Sequence, residues 1–232
     1  SDGVFVSKWG TEGAGDGEFN TPYGVAVASD GSVYVAEISN NRIQKFTSDG
    51  VFVSKWGTPG SGDGQFSQPV NVAVGSDDSV YVVEKANHRI QKFTSDGVFV
   101  SKWGTEGAAD GEFNQNDGPY GVAVVSDGSV YIADTDNHRI QKFDSEGVFI
   151  SKWGSLGSGD GEFYYPNSVA VATDGSVYVV DTVNHRIQKF TSEGVFVSQW
   201  GTRGSGDGGF QYPDGVAVAT DGSVYVADTG NH

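Results

Sequence analysis

Short apolar runs separated by glycine-bearing turns set the pattern of this chain. In the stretch from Gly24 to Phe46, GVAVASDGSVYVAEISNNRIQKF, a small apolar run from Gly24 to Ala28 gives way to Ser29-Asp30-Gly31-Ser32. That tetrapeptide reads as a tight turn, with Gly31 supplying a positive φ. Val33 to Ala36 reads as a second strand because it is β-branched and aromatic. Arg42 to Phe46 makes a third, and Gly50 to Trp56, GVFVSKW, a fourth. The inner strands are apolar at nearly every position, so both of their faces need cover. One such unit cannot bury itself.

Copies of the unit supply the cover. Trp9, Trp56, Trp103, Trp153 and Trp200 stand 47, 47, 50 and 47 residues apart, and the longer interval holds an insertion in Asn114-Gln115-Asn116-Asp117-Gly118. A period in the forties with four strand signals per copy predicts an all-β propeller of radial four-stranded blades. The period-two patterns and dense glycine turns argue against helical repeats. First strands recur near Asn71, Gly121, Ser168 and Gly215, and second strands near Val80, Val130, Val177 and Val224. RIQKF recurs at Arg89, Arg139 and Arg186, and fourth strands start near Val98, Val148 and Val195. The pattern thus gives five repeats in one domain spanning residues 1–232, with nineteen strands. The fifth third strand is missing, since the sequence stops at Asn231-His232, where RIQKF would begin. The first ten residues, SDGVFVSKWG, read as the outer strand of a composite last blade whose inner strands are C-terminal. In a meander the fourth strand runs parallel to the second and cannot replace the third. A groove is therefore expected between Val224–Asp228 and Val4–Trp9. A closed five-bladed ring, part of a larger ring, and protomers completing one another all fit this pattern.

The segments PYGVAV, DGSVYVADT, NHRIQKF and the closing FV and WG resemble NHL repeats across essentially the whole chain. Asn-His-Arg-Ile stands at 87–90, 137–140 and 184–187, with Asn40-Asn41-Arg42-Ile43 as a variant. The resemblance implies a β-propeller and a binding or scaffold role. It also brings in propeller lyases that use metal-bound histidine near the channel, but no equivalent cluster is recognisable in these repeats. The copies are unusually alike: TSDGVFVSKWG at 47–57 recurs unchanged at 94–104. Recent amplification or consensus design is the reading of that identity.

Composition narrows the picture further. The 37% hydrophobic and 12% aromatic content is enough for a sizeable core, and the 35 glycines fall at turn positions. No apolar run approaches the length of a membrane span, and no signal peptide is visible. With no Met, the chain is expected to begin after processing or to be an excised or designed piece. The absence of Cys excludes disulfides, thiolate metal sites and Cys nucleophiles. A net charge of −16 would repel nucleic acid, and no basic stripe overrides it. The expected partner is a protein or a small extracellular ligand, with self-association through the incomplete blade and an extracellular or cell-surface setting.

Four sets of residues carry candidate chemistry. Arg42, Arg89, Arg139 and Arg186 each follow Glu37, Glu84, Asp134 or Asp181 by five positions, which suits a charge-assisted bond fixing the turn between second and third strands. His88, His138, His185 and His232 occur once per blade, too far apart to converge on one metal, and read as turn-packing residues. Asp16, Asp63, Asp110, Asp160 and Asp207 sit in glycine-rich crossovers, where each is expected to bond its own backbone rather than calcium. No catalytic residue, metal site or cofactor emerges from the repeat.

The fourth set breaks the repeat. Turns between first and second strands are nearly invariant, while the opposite face holds the variation. After each proline stands Tyr23, Val70, Tyr120, Asn167 or Asp214, and before it Thr21, Gln68, Gly118, Tyr165 or Tyr212. After each second strand stands Ile38, Lys85, Thr135, Thr182 or Thr229. A ligand site is expected at that mouth of the channel, centred on Tyr23, Tyr120, Asn167 and Asp214, with Tyr165, Tyr212 and Lys85 around them. The function expected is a non-enzymatic binding or scaffold module. The alternative is a metal-dependent propeller enzyme of the lyase or lactonase type, with its site at the channel.

Overall fold

The computed structural model describes residues 4–114, 116 and 118–231. Ser1 to Gly3, Gln115 and Asp117 of the insertion, and His232 lie outside the described residues. In the first crossover β1 (Thr11–Glu12) pairs in parallel with β2 (Glu18–Phe19). Four antiparallel four-stranded meanders follow. They are β3 (Pro22–Val27), β4 (Val33–Glu37), β5 (Arg42–Phe46) and β6 (Phe52–Trp56); then β7 (Pro69–Val74), β8 (Val80–Glu84), β9 (Arg89–Phe93) and β10 (Phe99–Trp103). The next two are β11 (Pro119–Val124), β12 (Val130–Asp134), β13 (Arg139–Phe143) and β14 (Phe149–Trp153), and β15 (Pro166–Val171), β16 (Val177–Asp181), β17 (Arg186–Phe190) and β18 (Phe196–Trp200). The parallel pair returns as β19 (Thr202–Arg203) and β20 (Gly209–Phe210), and β21 (Pro213–Val218) with β22 (Val224–Asp228) ends the chain as a two-stranded sheet. The protein is an all-β propeller.

Alternation within a strand divides its side chains between two cores. In β8, Val80 and Val82 enter the cluster shared with the preceding blade, and Tyr81 and Val83 the cluster shared with the next. That is why β8 and β9 are buried at every position while the outer strand β10 alternates between half-buried and exposed. Each outer-strand tryptophan leans forward. Trp56, Trp103 and Trp153 lie 5.9 Å from Phe93, Phe143 and Phe190 of the following blade. The turn between third and fourth strands beneath it needs glycine, since a Cβ on Gly97 (φ +81°) would stand 2.5 Å from the Trp56 ring.

Trp9 makes the same forward contact, 4.6 Å from Phe46. Residues 4–10 thus sit beside the first blade where a preceding blade's outer strand belongs, yet they join no ladder among the described residues. The reason is the one the repeat count implies: an outer strand bonds to a third strand, and β22 has none beside it. The exposed side chains lie between β22 and β3 rather than between β22 and Val4–Trp9. Tyr225 is 61% exposed where Tyr34 and Tyr81 are 1% exposed, and Val25 is 63% exposed where Val72 is 3% exposed. Innermost strands pack in succession, β3 on β7, β7 on β11, β11 on β15 and β15 on β21, but no comparable packing joins β21 to β3 among the described residues. Among the described residues the circle of innermost strands is thus not closed between β21 and β3, and that boundary is called the seam below.

One buried ionic clamp recurs in each complete blade. Arg42 Nε donates to Glu37 Oε2 at 2.5 Å, and its terminal nitrogens donate to the carbonyls of Ala14, Gly15 and Glu18 at 2.6 to 2.9 Å. Arg89 repeats this on Glu84, Arg139 on Asp134 and Arg186 on Asp181, at 2.6 to 2.7 Å. The arginine therefore does more than fix the turn between second and third strands: it also holds the preceding crossover against the blade. A glutamine repeated in every RIQKF strand shares the load, since Gln44 Nε2 reaches both Glu37 and the Glu18 carbonyl.

The histidines are turn residues in left-handed conformation. His88, His138 and His185 have φ of 51°, 54° and 56°, and Asn41 holds the same position at 49°. His138 Nδ1 accepts from the Tyr165 N–H at 3.3 Å and His185 Nδ1 from the Tyr212 N–H at 3.1 Å, as Asn41 Oδ1 accepts from the Gln68 N–H at 3.1 Å. At His88 the insertion changes the following segment, and its Nδ1 is buried with no hydrogen-bond partner among the described residues. Burial lowers the pKa of His138, against the pull of nearby Asp136, Asp134 and Asp181. Burial and then the Arg203 charge lower that of His185.

Two measurements follow. Arg139→Ala leaves the buried Asp134 charge without its cation and takes a donor from three carbonyls, and equilibrium denaturation should show a loss of about 3 kcal/mol or more. The histidine effect has a definite sign. A depressed folded-state pKa means the unfolded chain takes up protons first, so the stabilisation is full above the ordinary histidine pKa and is lost as pH falls through it. Melting temperature should therefore drop between pH 7.5 and 5.5. His138→Asn with His185→Asn, which keep the acceptor as Asn41 does, should flatten that drop.

Candidate functional site

The innermost strands bring their first residues to one mouth of the channel. These strands press closely together: a Cβ on Gly24 would stand 2.6 Å from the Asn71 Cα, and one on Gly121 2.8 Å from the Asn167 carbonyl oxygen. Four of the five side chains that follow a proline therefore meet, Val70 being buried in a blade core instead. Tyr23 Oη donates to Asp214 Oδ2 at 3.0 Å, and Asn167 Nδ2 donates to Asp214 Oδ1 at 2.8 Å. The Tyr23 and Tyr120 rings are 6.2 Å apart, and Lys85 Nζ donates to Tyr120 Oη at 2.8 Å. Five of the expected residues thus form one run of contacts from Lys85 to Asn167, and it crosses the seam at Tyr23–Asp214. Four of them, Tyr23, Tyr120, Asn167 and Asp214, border a cavity of about 600 Å³ that Asn71 and Ser168 also line and that continues along the seam to Val25 and Tyr225.

Tyr165 and Tyr212 are not part of this run. Each stands before its proline in left-handed backbone, at φ of 57° and 52°. That conformation turns the rings outward onto the histidines of the preceding blade, 5.1 Å from His138 and 4.7 Å from His185. They flank the mouth without lining the cavity.

Variation at the mouth is paired across blade boundaries. Ile38 packs on the cluster that buries Val70, and Lys85 bonds Tyr120 of the next blade. Thr135, fully buried, donates its hydroxyl to the Pro166 carbonyl at 2.8 Å. An apolar residue meets an apolar one and a cation meets a phenol. Two cavity residues escaped the sequence reading, Asn71 and Ser168. Their signal was present: they replace the glycine found at Gly24, Gly121 and Gly215.

The crossover aspartates behave differently from expectation. Asp16, Asp63 and Asp110 pair with Lys55, Lys102 and Lys152 of the outer strands at 2.7, 2.6 and 2.5 Å. Asp160 accepts from Gln199 at 3.2 Å. The loop's own backbone is instead bonded by the residue two places on, as in Glu18 Oε2 with the Gly15 N–H at 2.8 Å. The longer glutamate can curl back to the loop, whereas the aspartate points across to the lysine.

The sequence profile of the virginiamycin B lyase family matches residues 14–232. No curated protein matches. Among solved structures, a streptogramin B lyase has a TM-score of 0.69 at 19% identity, covering 90% of this chain and 63% of its own. Virginiamycin B lyase from Staphylococcus aureus scores 0.67 at 20% identity, covering 90% and 64%. A gluconolactonase of Xanthomonas campestris scores 0.65 at 16% identity, covering 90% and 70%. At these identities the likenesses establish the fold alone. The chain spans somewhat under two thirds of the length of the lyase structures it matches. The expectation of a non-enzymatic module is overturned by the profile, because the family it describes is one of lyases. Its cause is that a repeat-wide search for catalytic motifs passes over single residues at the ends of strands. The chain belongs to the virginiamycin B lyase family.

Proposed function

We propose that this propeller is a lyase-type enzyme whose reaction site is the channel mouth around Tyr23, Tyr120, Asn167 and Asp214. The observation that carries the reading is the convergence of a carboxylate and a lysine-bonded phenol on one cavity, in a chain whose family is enzymatic. A lyase needs a base to take a proton from carbon and an acid to protonate the leaving group. Asp214 suits the first role: its oxygens are held by Tyr23 and Asn167, which fix its direction. Tyr120 suits the second, because the Lys85 ammonium bonded to its oxygen stabilises the phenolate left after proton donation. The aromatic rings would bind an apolar or aromatic ring of the substrate.

A divalent metal does not fit these residues. Among the described residues no three His, Asp or Glu side chains converge, and Asp214 is the sole carboxylate lining the cavity. His138 and His185 already accept backbone hydrogen bonds through Nδ1. The proposed steps therefore rest on Asp214 and Tyr120. We read the NHL resemblance as the sequence requirement of the clamp, since Asn-His-Arg-Ile supplies its Asn, its left-handed turn and its arginine.

The Staphylococcus aureus lyase has been solved with quinupristin, as an inactive His→Ala variant, and quinupristin is the probe for this chain. Mass spectrometry should find a ring-opened product of unchanged mass, whereas gain of one water would make the protein a lactonase. Asp214→Asn should lower kcat by about a hundredfold or more. Tyr23→Ala with Tyr120→Ala should weaken binding, while Ser29→Ala with Ser176→Ala on the opposite face should leave it unchanged. No turnover by the parent chain, or full activity in Asp214→Asn, would overturn the assignment.

A further inference from the structure

Two side chains that border the cavity have no part in the acid–base pair assigned above. Asn71 and Ser168 stand where the innermost strands of the other copies carry Gly24, Gly121 and Gly215. Both lie in complete blades, each beside a β-bulge: the register shifts between Pro69 and Asn71 and between Pro166 and Ser168. A bulge re-aims the side chain next to it. The blade before each of them supplies a glycine at the point of contact. A Cβ on Gly24 would stand 2.6 Å from the Asn71 Cα and 3.0 Å from its Oδ1, and one on Gly121 2.8 Å from the Ser168 Cα. The two side chains have room for that reason.

Their acceptor oxygens are already used. Val72 N–H donates to Asn71 Oδ1 at 2.9 Å, and Val216 N–H donates to Ser168 Oγ at 3.3 Å. A backbone N–H only donates, so the first bond fixes which end of the Asn71 amide is oxygen and which is the donor Nδ2. Neither the Asn71 Nδ2 protons nor the Ser168 hydroxyl proton meets an acceptor among the described residues. The cavity is thus lined by two donors whose protons are unspent. They stand one residue further along their strands than the positions of Tyr23, Tyr120, Asn167 and Asp214. Acid–base groups and donors therefore occupy successive positions of one mouth.

An elimination needs such donors. When Asp214 takes a proton from the carbon beside a carbonyl, the C–H pair becomes a C=C bond and the carbonyl pair moves onto oxygen. We propose that Asn71 Nδ2 and the Ser168 hydroxyl hold this enolate oxygen, a role that rests on the lyase reading of the mouth. The pair then returns to re-form C=O. The new double bond shifts to the neighbouring carbon, the bond from that carbon to its leaving oxygen breaks, and the leaving oxygen takes the Tyr120 proton. Solvent reprotonates the tyrosinate and receives the proton from Asp214. Fixed donors aimed at an oxygen that gains charge act on the transition state more than on the bound substrate.

The test again uses quinupristin. Asn71→Asp keeps the oxygen that Val72 N–H needs and replaces the donor with a second oxygen. It should lower kcat about a hundredfold and leave KM within a few-fold. Ser168→Ala should lower kcat about tenfold with as little change in KM, and Ser168→Thr, which keeps the hydroxyl, should recover most of that loss. Melting temperatures close to that of the parent would separate lost catalysis from lost folding. A second readout does not depend on turnover. In isotope-labelled Asp214→Asn protein, titration with quinupristin should shift the Asn71 side-chain amide resonances, identified by their absence from Asn71→Asp. Full kcat in Asn71→Asp or in Ser168→Ala, or bound quinupristin that leaves the Asn71 amide unmoved, would overturn the oxyanion assignment while leaving Asp214 as the base. Neither binding nor turnover by the parent chain would overturn the lyase reading and this inference with it.

Discussion

A single guanidinium in each blade holds three stretches of chain together. Through Glu37 and its counterparts it fixes the end of the second strand, through its own position the start of the third, and through three carbonyls the crossover from the blade before. The crossover leads directly into the proline that begins the innermost strand, so the clamp also decides where the mouth residues stand. Arginine suits this place because its flat array of donors can serve a carboxylate and three carbonyls at once. The buried charge is tolerable because its hydrogen-bonding capacity is met.

The local layers of this structure were legible and the long-range ones were not. Period-two alternation and turn glycines mark β3 to β6 and each copy of them because those signals depend on neighbouring residues. The arginine–acid pairs were legible for the same reason, being five residues apart. The carbonyls of Ala14, Gly15 and Glu18 were not, since a backbone acceptor leaves no trace in residue type. The channel-mouth residues showed as breaks in an otherwise repeated sequence, which located Tyr23, Tyr120, Asn167 and Asp214 together. Tyr165 and Tyr212 looked equivalent to them, but the left-handed backbone before proline turns them away. Catalytic chemistry was the least legible, because nothing in the repeat distinguishes a carboxylate that does chemistry from one that bonds a neighbour.

The mouth and the seam are physically linked. Tyr23 belongs to the first blade and Asp214 to the last sheet, and their hydrogen bond spans the place where the innermost strands do not pack. The geometry of that carboxylate therefore depends on the width of the seam. Covering the exposed faces of Val25 and Tyr225 would stiffen the ring and, with it, the direction of Asp214. A propeller closed on all sides has no such dependence.

The forward lean of the tryptophans gives the ring a direction. Trp56 finishes the core of the blade after its own, and Trp9 does so for the first blade although the segment carrying it joins no sheet. The blade seen in space is therefore not the unit that is complete in the sequence; that unit runs from one tryptophan to the next crossover and strands. Each blade boundary is therefore made by two consecutive copies, the earlier giving the tryptophan and the later the ring it covers. The array is polar in the way a row of overlapping tiles is, each copy covering its successor in one sense only.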